Sequence, residues 1–352
     1  MPEPEGRETE PEPESEQETE GRETEPEGRE TEPEGREQEG QELPDAKEAD
    51  VVGPHRIMIR HLVIAGGGAS GFMAFGALKT LEEKGVWSRD HLQSIDATSV
   101  GAILAIIVAL RYDWVEAETY LVKRPWHHVM KLDVLRILDQ RGIWGIDVMT
   151  QILTPLLLGK NLSPESTMQD LFDYTGIDLH FYAVEMKEQC ELVDISHRTH
   201  PTWRIMEAAY ASSCVPILFS PFFKDDVGYV DGGMLINYPL LGCQRRCETK
   251  EVDAILGIRT KFDPISPVTM DSSFVDYILY LIHQLIQSSR HRAEKVDPIL
   301  YEICVSCKSV NAMNLMDLSK SETLRKTLIQ EGVTAALASP MCSSQTCPGC
   351  PL

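Results

Sequence analysis

The alternation of apolar and polar positions along the 352-residue chain predicts a layered α/β fold from residue 55 onward. A mostly apolar stretch over residues 57–65, interrupted by Arg60 and His61, indicates a strand, and apolar residues at helical spacing over residues 72–81 predict a helix after it. A second short strand over residues 94–96 leads into residues 102–110, which are apolar all round and predict a buried helix. This order of elements favours a mostly parallel central sheet with helices on both faces.

Further elements are predicted in the second half of the chain. An apolar stripe over residues 274–286 indicates an amphipathic helix. Ser319 and Glu322 have the spacing of a capping box for a last helix that reaches about residue 338. Four more strands are predicted over residues 180–186, 190–195, 252–258 and 300–305, and the first two of these form a hairpin.

The first 50 residues differ in composition from the rest. They contain 21 acidic and 5 basic side chains, which account for −16 of the net charge of −22. The sequence Gly-Arg-Glu-Thr-Glu-Pro-Glu begins at Gly6, Gly21 and Gly28. Because this segment has almost nothing to bury, residues 1–54 are predicted to be a disordered acidic tail. A like-charged tail of this kind is more typical of a spacer than of a partner-binding segment. The remaining net charge of −6 offers no attraction to anionic lipid and does not suggest a nucleic-acid partner.

The nine cysteines are scattered through a long chain, as is typical of reduced thiols in a cytosolic protein. Three pairs have spacings found among zinc ligands, but Cys304 lies in an apolar run that favours a buried strand cysteine, so no metal site is predicted. These pairs are Cys243 and Cys247, Cys304 and Cys307, and Cys347 and Cys350. No apolar run has the length of a membrane-spanning helix, and the acidic start is unlike a signal peptide. The sequence therefore predicts a cytoplasmic protein.

Ser99 is the most informative candidate for chemistry. It stands between a short strand and a buried helix, with the small residues Ala97 and Gly101 two positions away on either side. This is the setting of a nucleophile elbow, where strand and helix backbones nearly touch and only small residues fit. The hypothesis requires backbone donors for an oxyanion and a base elsewhere in the chain.

Candidates for both groups are present. Gly66, Gly67 and Gly68 follow the first strand, and amides in a glycine run can face a bound oxygen with no Cβ in the way. Asp231 stands at the end of a short strand with two glycines behind it and is the candidate base. An Asp-Gly-Gly sequence by itself is more often only a turn. Its interpretation as a base therefore depends on the other two motifs.

Taken together, the motifs resemble the patatin-like phospholipase family. They are the glycine loop Gly66-Gly67-Gly68-Ala69-Ser70-Gly71, the elbow Ala97-Thr98-Ser99-Val100-Gly101 and the triplet Asp231-Gly232-Gly233, in the family's order. Residues 211–216 and 237–239 also look like the family, and the combination is similar to patatin-like proteins of large DNA viruses and microbes. The resemblance implies a three-layer patatin-like fold over residues 55–338. Residues 339–352, which contain several cysteines and prolines, are predicted to be a loose tail.

The resemblance also implies a Ser-Asp dyad. Ser99 would attack a fatty-acyl ester of a phospholipid or related glycerolipid, and Asp231 would take its proton. The glycine loop, Gly66 to Gly68, would hold the oxyanion, and water would release the fatty acid from an acyl-enzyme. This chemistry needs no cofactor and no metal. The substrate implies peripheral contact with a membrane.

Two positions depart from the family's pattern. Ala97 stands where the elbow usually has glycine, and we expect this change to be harmless because alanine is small. Ser70 stands where the glycine loop usually has Arg or Lys, so a positive charge near the oxyanion loop is missing. We expect this second change to alter the rate or the substrate preference.

Three alternative functions remain open. Gly66-x-Gly68-x-x-Gly71 also fits a dinucleotide-binding fingerprint with Asp96 as the ribose ligand, although this leaves Ser99 unexplained. A Ser-His-Asp triad would use His283 or His291, both of which have the pattern of surface residues. A catalytically inactive lipid-binding protein is the third alternative. Residues 216–219 and 221–223 form either an apolar rim that dips into lipid or part of the core.

Overall fold

A mixed β-sheet with helices packed against it organises the chain. The computed structural model describes residues 58–131, 139–247, 252–262, 267–290, 296–307 and 312–342. The strands are β1 (His61–Ile64), β2 (Ser94–Thr98), β3 (Gly142–Trp144), β4 (Asp178–Met186), β5 (Cys190–Ile195), β6 (Ile217–Phe219), β7 (Phe222–Lys224), β8 (Val227–Asp231), β9 (Ile255–Phe262) and β10 (Tyr301–Cys307). The α-helices are α1 (Ser70–Glu83), α2 (Val100–Ala109), α3 (Trp114–Lys123), α4 (Trp126–Val129), α5 (Ile146–Leu158), α6 (Met168–Thr175), α7 (Ile205–Ser213), α8 (Leu240–Arg246), α9 (Phe274–Arg290), α10 (Ala312–Lys320) and α11 (Glu322–Leu337).

Within those ranges, eight strands form the main sheet in the order β10-β9-β1-β2-β4-β8-β7, with β5 also paired to β4. Strands β10, β9, β1, β2 and β4 run parallel. Strands β5 and β8 are antiparallel to β4, and β7 is antiparallel to β8. Strands β3 and β6 form a separate parallel pair. The predicted mostly parallel α/β sheet is confirmed, and so is the hairpin of β4 and β5.

The central strand β1 shows that the sheet is covered on both faces. Alternate residues of a strand point to opposite faces. Leu62 and Ile64 pack into the large hydrophobic core, whereas Val63 packs into a smaller cluster with Leu240 and Ile255. All three β1 residues are fully buried. A parallel strand with no solvent-facing side reads as the apolar run that the sequence displays.

The strand register places the ends of β2 and β8 at the same level. Thr98, the last residue of β2, pairs with Tyr182 of β4. Asp231, the last residue of β8, pairs with Ala183, the next residue of β4. Strand β5 occupies the other edge of β4, so β2 and the antiparallel β8 meet end to end along one edge and bring Ser99 and Asp231 together there.

Two predictions about local structure need correction or refinement. Ser319 does not cap the last helix, because it belongs to α10 and its hydroxyl donates to the Met316 carbonyl at 2.7 Å. The cap is Ser321, whose hydroxyl accepts from the Leu324 amide at 3.1 Å. The apolar residues 216–223 belong partly to the core and partly to an exposed rim. Leu218 is fully buried, whereas Phe223 is 57% exposed.

The predicted tails fall almost entirely outside the part of the chain that is described. The disordered acidic tail lies outside it, as do residues 343–352, so their properties stay predictions. The start of the C-terminal tail, Pro340–Cys342, forms a 3-10 turn. Among the described residues, no helix has both the length and the hydrophobicity to cross a bilayer.

Helices α1 and α11 pack so closely that their backbones nearly touch. A Cβ atom on Gly332 would collide with the Met73 carbonyl oxygen, and one on Gly76 would collide with the Ile329 carbonyl oxygen. Backbone atoms within two helices have little room to move aside. The reciprocal arrangement makes both glycines necessary for this helix pair.

Replacing Gly332 with alanine should therefore destabilise the protein. Alanine favours a helix over glycine by roughly 1 kcal/mol, but overpacking against backbone costs about 1–3 kcal/mol and outweighs this gain. We expect a lower free energy of unfolding in urea for Gly332→Ala. The control Gln330→Ala, at an exposed position of the same helix, should stay within about 0.5 kcal/mol of wild type. Equal stability of Gly332→Ala and wild type would contradict the packing described here.

Candidate active site

Ser99 occupies a sharp turn between β2 and α2. Its backbone has φ 58° and ψ −129°, a conformation that residues other than glycine rarely adopt, so the turn is strained. The Ser99 amide donates to the Ser212 carbonyl at 3.1 Å and to the Ser212 hydroxyl oxygen at 3.0 Å. The Ser212 hydroxyl donates in turn to the Tyr182 carbonyl at 2.7 Å. Helix α7 and strand β4 thus hold the strained residue in place.

The two small residues around Ser99 are under different constraints. A Cβ atom on Gly101 would lie 2.6 Å from the Ile64 carbonyl oxygen of β1, so this position requires glycine. Ala97 is fully buried in the sheet, where its methyl group is accommodated. The elbow therefore forms with alanine in place of the first glycine.

The glycine loop follows β1 and faces the elbow. Gly67 has φ 150° and Gly68 has φ 54°, both in the region that favours glycine. Both residues line the cavity that contains Ser99. Among the described residues neither amide donates to a backbone or side-chain acceptor, so both are available to a bound oxygen.

Gly66 differs from the sequence-based expectation. Its amide donates to the Asn237 carbonyl at 3.0 Å and is therefore already used within the protein. The Asn237 side-chain amide donates back to the Gly66 carbonyl at 3.1 Å. A Cβ atom on Gly66 would lie 2.7 Å from the Asn237 Oδ1 atom and 2.9 Å from the Ser99 Cβ atom. Gly66 therefore permits close packing of the loop against the elbow and leaves the free donors to Gly67 and Gly68.

Asp231 lies at the end of β8 with its side chain almost completely buried at 3% exposure. Its Oδ1 atom accepts from the Gly233 amide at 2.7 Å. Burial raises the pKa of the Asp231 carboxyl to about 6, although the Ser99 hydroxyl and the Gly233 amide stabilise the charged form. The carboxylate is thus a stronger base than an exposed aspartate, and it interacts with the Ser99 hydroxyl.

Residues 211–216 and 237–239 carry a family likeness in the sequence but no chemistry that would predict a role for them. The structure shows that they connect the parts of the site. Ser212 holds the Ser99 amide, and the Cys214 carbonyl accepts from the Asp231 amide at 3.1 Å. Asn237 binds Gly66 through both its backbone and its side chain. Their polar contacts span distant parts of the chain, so no local pattern could reveal them.

An apolar cavity of about 270 Å³ opens at Ser99 and Asp231. Most of its wall consists of aliphatic and aromatic side chains from several helices and from β6. Examples are Phe72, Val100, Ile103, Leu104, Leu121, Trp126, Met149, Leu218, Phe219, Leu279, Ile282 and Leu315. Such a wall accommodates a hydrocarbon chain and excludes water from the two polar groups at its end.

Two polar side chains in this wall, His283 and Arg325, come from late helices. The sequence places His283 on a polar surface, but it is half-buried on α9, lines the cavity and packs edge-on against Phe262 with ring centroids 6.2 Å apart. The prediction for His283 was wrong because the outer face of α9 is also apolar. Arg325 is buried and donates to the carbonyls of Val122 and Leu318, so it joins the ends of α3 and α10. His291 lies outside the described residues.

Ser70 and the histidines of the sheet do not line this cavity. The Ser70 hydroxyl lies 3.0 Å from the Thr260 hydroxyl of β9, and Ser70 is 1% exposed. Ser70 therefore supports the glycine loop by joining it to β9. His180 is held by Asp194 at 2.8 Å and by Asp178 at 3.2 Å. These two carboxylates raise the pKa of His180 to about 9 against the opposing effect of burial. His180 is therefore part of a buried ion-pair cluster.

Asp96 does not have the environment of a ribose ligand. It is completely buried on β2, where it pairs with the Arg246 guanidinium and accepts from the Tyr182 hydroxyl at 2.8 Å. Its carboxylate is used to satisfy these two groups and does not line the cavity. The dinucleotide-binding alternative thus loses its acidic ligand.

The fold and this site together define an α/β protein with a strained serine elbow at the end of an apolar cavity. The chain belongs to the patatin-like phospholipase family, because the family model for patatin-like phospholipases matches residues 62–243, about half of the chain. The general activity of that family is hydrolysis of lipid esters. The resemblance found in the three motifs is therefore confirmed.

Individual relatives are more distant. The chain is 26% identical over 208 residues to "Probable lipid hydrolase 463L" of Invertebrate iridescent virus 6, covering 57% of this chain and 70% of that protein. It is 23% identical over 186 residues to "Uncharacterized protein R571" of Acanthamoeba polyphaga mimivirus, covering 52% of this chain and 60% of that protein. Among solved structures, VipD from Legionella pneumophila is 16% identical with a TM-score of 0.47, covering 80% of this chain and 66% of that one. Human GIVD cytosolic phospholipase A2 with a fluorophosphonate inhibitor is 12% identical with a TM-score of 0.38, covering 80% and 57%.

The pKa of Asp231 predicts how a fluorophosphonate should label Ser99. Only the deprotonated carboxylate can accept the serine proton, so the labelling rate should fall as the pH decreases through about 6 and should level off above it. Well below this value, we expect a decrease of about tenfold per pH unit. The measurement is the rate of mass increase at the Ser99 peptide across the pH range.

Two variants control this experiment. Ser99→Ala should abolish labelling, whereas Ser213→Ala, which removes a second hydroxyl from the same cavity wall, should retain it. A labelling rate that does not change across pH 6 would contradict the role of Asp231 as a base.

Proposed function

We propose that this chain hydrolyses fatty-acyl esters of phospholipids or related glycerolipids, a phospholipase A-type reaction, through Ser99 and Asp231. The observation that carries the proposal is that a strained serine and a buried carboxylate face one apolar cavity. Asp231 takes the hydroxyl proton as the Ser99 oxygen attacks the ester carbonyl carbon. The C–O bond to the glycerol breaks, the alcohol leaves with the proton, and the acyl group stays on Ser99. Water then attacks this ester, with Asp231 again as base, and the fatty acid is released.

The amides of Gly67 and Gly68 are the proposed oxyanion donors. Removing one such donor typically costs an enzyme about 3–4 kcal/mol of transition-state stabilisation. The partial positive charge of these two N–H groups at the developing oxyanion compensates for a base that is weaker than histidine. The contact between Gly66 and Asn237 supports this role because it fixes the start of the loop.

The shape of the cavity favours cleavage at an acyl ester. Each methylene of an acyl chain that enters the apolar wall contributes about 0.8 kcal/mol of binding. A charged head group would lose its hydration against the apolar wall, and Arg325 already donates to the carbonyls of Val122 and Leu318, so the head group would remain outside. This arrangement supports a binding mode in which the acyl carbonyl, between chain and head group, lies at Ser99.

Peripheral contact with a membrane is proposed through the outer face of α9. Phe274, Tyr277 and Leu281 are exposed there at 67%, 44% and 39%, and their spacing puts them on one side of the helix. The opposite side of α9 contributes Leu279 and Ile282 to the cavity wall. A helix that is apolar on both sides can contact lipid outside while it lines the acyl site inside.

The function is tested with vesicles of mixed phospholipids, measuring released fatty acid with and without a chelator. Ser99→Ala should abolish release, and Asp231→Asn should reduce it by about 10²–10⁴-fold, the usual contribution of a general base. His283→Gln should retain turnover, because the proposed dyad does not include it. The chelator should have no effect.

Other outcomes would select an alternative. If release survives in Asp231→Asn and is lost in His283→Gln, a histidine is the base. If the wild type binds the vesicles and releases no fatty acid, the protein is an inactive lipid-binding member of the family.

The membrane contact is tested separately by sedimentation with neutral phosphatidylcholine vesicles. Phe274→Glu should reduce the bound fraction by about tenfold, since it removes a side chain whose burial is worth about 1.5–3 kcal/mol. The matched control Val115→Glu changes a residue of α3 that is equally exposed at 67% and should bind as wild type does. Equal losses in both variants would show that α9 has no special role.

A further inference from the structure

Helix α8 ends in two cysteines that the proposed reaction does not use. Cys243 is fully buried, Cys247 is half-buried, and their sulfur atoms are 3.8 Å apart. Cys247 directly follows the last helical residue, Arg246, and its amide donates to the Cys243 carbonyl at 3.0 Å. The two thiols therefore lie together on one side of the last turn, with the second nearer to solvent.

The surroundings of Cys247 stabilise its thiolate. Hydrogen bonding with Cys243, together with His61, lowers the pKa of the Cys247 thiol below its usual value, against the effects of burial and of Asp96. The same hydrogen bond and burial raise the pKa of Cys243 well above its usual value. His61 is held in position by the Ser94 hydroxyl, 2.9 Å from its Nδ1 atom.

The position of the pair in the fold separates it from the candidate active site. Cys243 packs with Val63, Leu240 and Ile255 in the smaller hydrophobic cluster. The cavity wall belongs to the large core, into which Leu62 and Ile64 of β1 point. The thiols and the cavity thus lie against opposite faces of β1, so a reaction at the thiols needs no lipid substrate.

We propose that Cys243 and Cys247 form a thiol pair that a hydroperoxide oxidises to a disulfide. The Cys247 thiolate attacks one peroxide oxygen, an S–O bond forms as the O–O bond breaks, and the leaving oxygen departs as water or alcohol after protonation. The Cys243 sulfur then attacks the resulting sulfenic acid, forms the S–S bond, and displaces water as its proton is transferred. The two thiols lose two electrons, and the hydroperoxide gains them.

The geometry allows this bond to close. The sulfur atoms must approach from 3.8 Å to about 2.05 Å, the length of a disulfide bond. Cys247 has φ −71° and ψ 140°, outside the helical region, so rotation at this one residue can bring its sulfur inward without unwinding α8. Such freedom would be missing if both cysteines lay inside the helix.

The proposal is tested on the full chain with limiting hydrogen peroxide, followed by alkylation and peptide mapping by mass spectrometry. Trypsin cleaves after Arg246, so the disulfide should appear as two peptides joined through Cys243 and Cys247. This linkage should form at a peroxide dose that leaves the exposed Cys190 reduced. A linkage to any other cysteine, or Cys190 oxidised with no linkage at α8, would overturn the proposal.

Two variants separate the roles of the sulfurs. Cys243→Ala should stop at a sulfenic acid on Cys247 that dimedone traps, and Cys247→Ser should leave Cys243 unoxidised at the same dose. Oxidation of Cys243 in the Cys247→Ser variant would overturn the assignment of Cys247 as the attacking thiol.

A measurement on the wild type covers the case in which a variant does not fold. The rate of iodoacetamide alkylation at Cys247 should rise less steeply between about pH 6 and pH 8 than the rate for N-acetylcysteine, because the thiolate of Cys247 is stabilised. The rate for N-acetylcysteine rises about tenfold per pH unit in this range. If Cys247 follows the model thiol, its thiolate is not stabilised and the proposal fails.

Discussion

The close approach of separate backbone segments around Ser99 is the constraint on which the site depends. The elbow requires a positive φ at a serine, and a residue in this conformation persists only when its neighbours prevent it from relaxing. Ser212 supplies hydrogen bonds for that purpose, Gly101 allows the following helix to touch β1, and Gly66 allows the loop to touch the serine itself. Because these contacts bring the elbow and the glycine loop together, the loop can face Ser99, the proposed nucleophile.

The second physical factor is the removal of water from a carboxylate. Asp231 is buried at the end of a strand beside an apolar cavity, and its charged form is supported mainly by the Gly233 amide and the Ser99 hydroxyl. A shift of its pKa from 3.8 to about 6 corresponds to about 3 kcal/mol. In the proposed reaction, the same apolar wall would receive a hydrocarbon chain and strengthen the base, so binding and proton transfer would depend on one feature.

Much of the fold could be predicted from the sequence because its patterns are local. The apolar run of β1 and the two short strands on either side of a polar turn, β4 and β5, can be identified directly, and the motifs around Ser99 and Asp231 identify the elbow and the acid. The roles of Ser212, Asn237 and Gly66 could not be predicted, because each depends on a contact between segments far apart in the chain. His283 was misplaced for a related reason: an amphipathic pattern shows that a helix has an apolar face, but not that its other face meets a cavity wall. The capping residue of the last helix was predicted two positions too early, at Ser319, because α10 ends at Lys320 and α11 begins at Glu322, with Ser321 between them.

The register of β2, β4 and β8 has a consequence for how this protein family can change. Ser99 and Asp231 are separated by more than a hundred positions in the chain, yet their relative height is set by hydrogen bonds to two adjacent residues of β4. The segments between them, including α3 to α5, contribute cavity wall without setting that height. Insertions or exchanges in those segments can reshape the space for a substrate while the two groups keep their spacing. The sheet thus keeps the spacing of Ser99 and Asp231 constant, while the segments that shape the substrate space are free to vary.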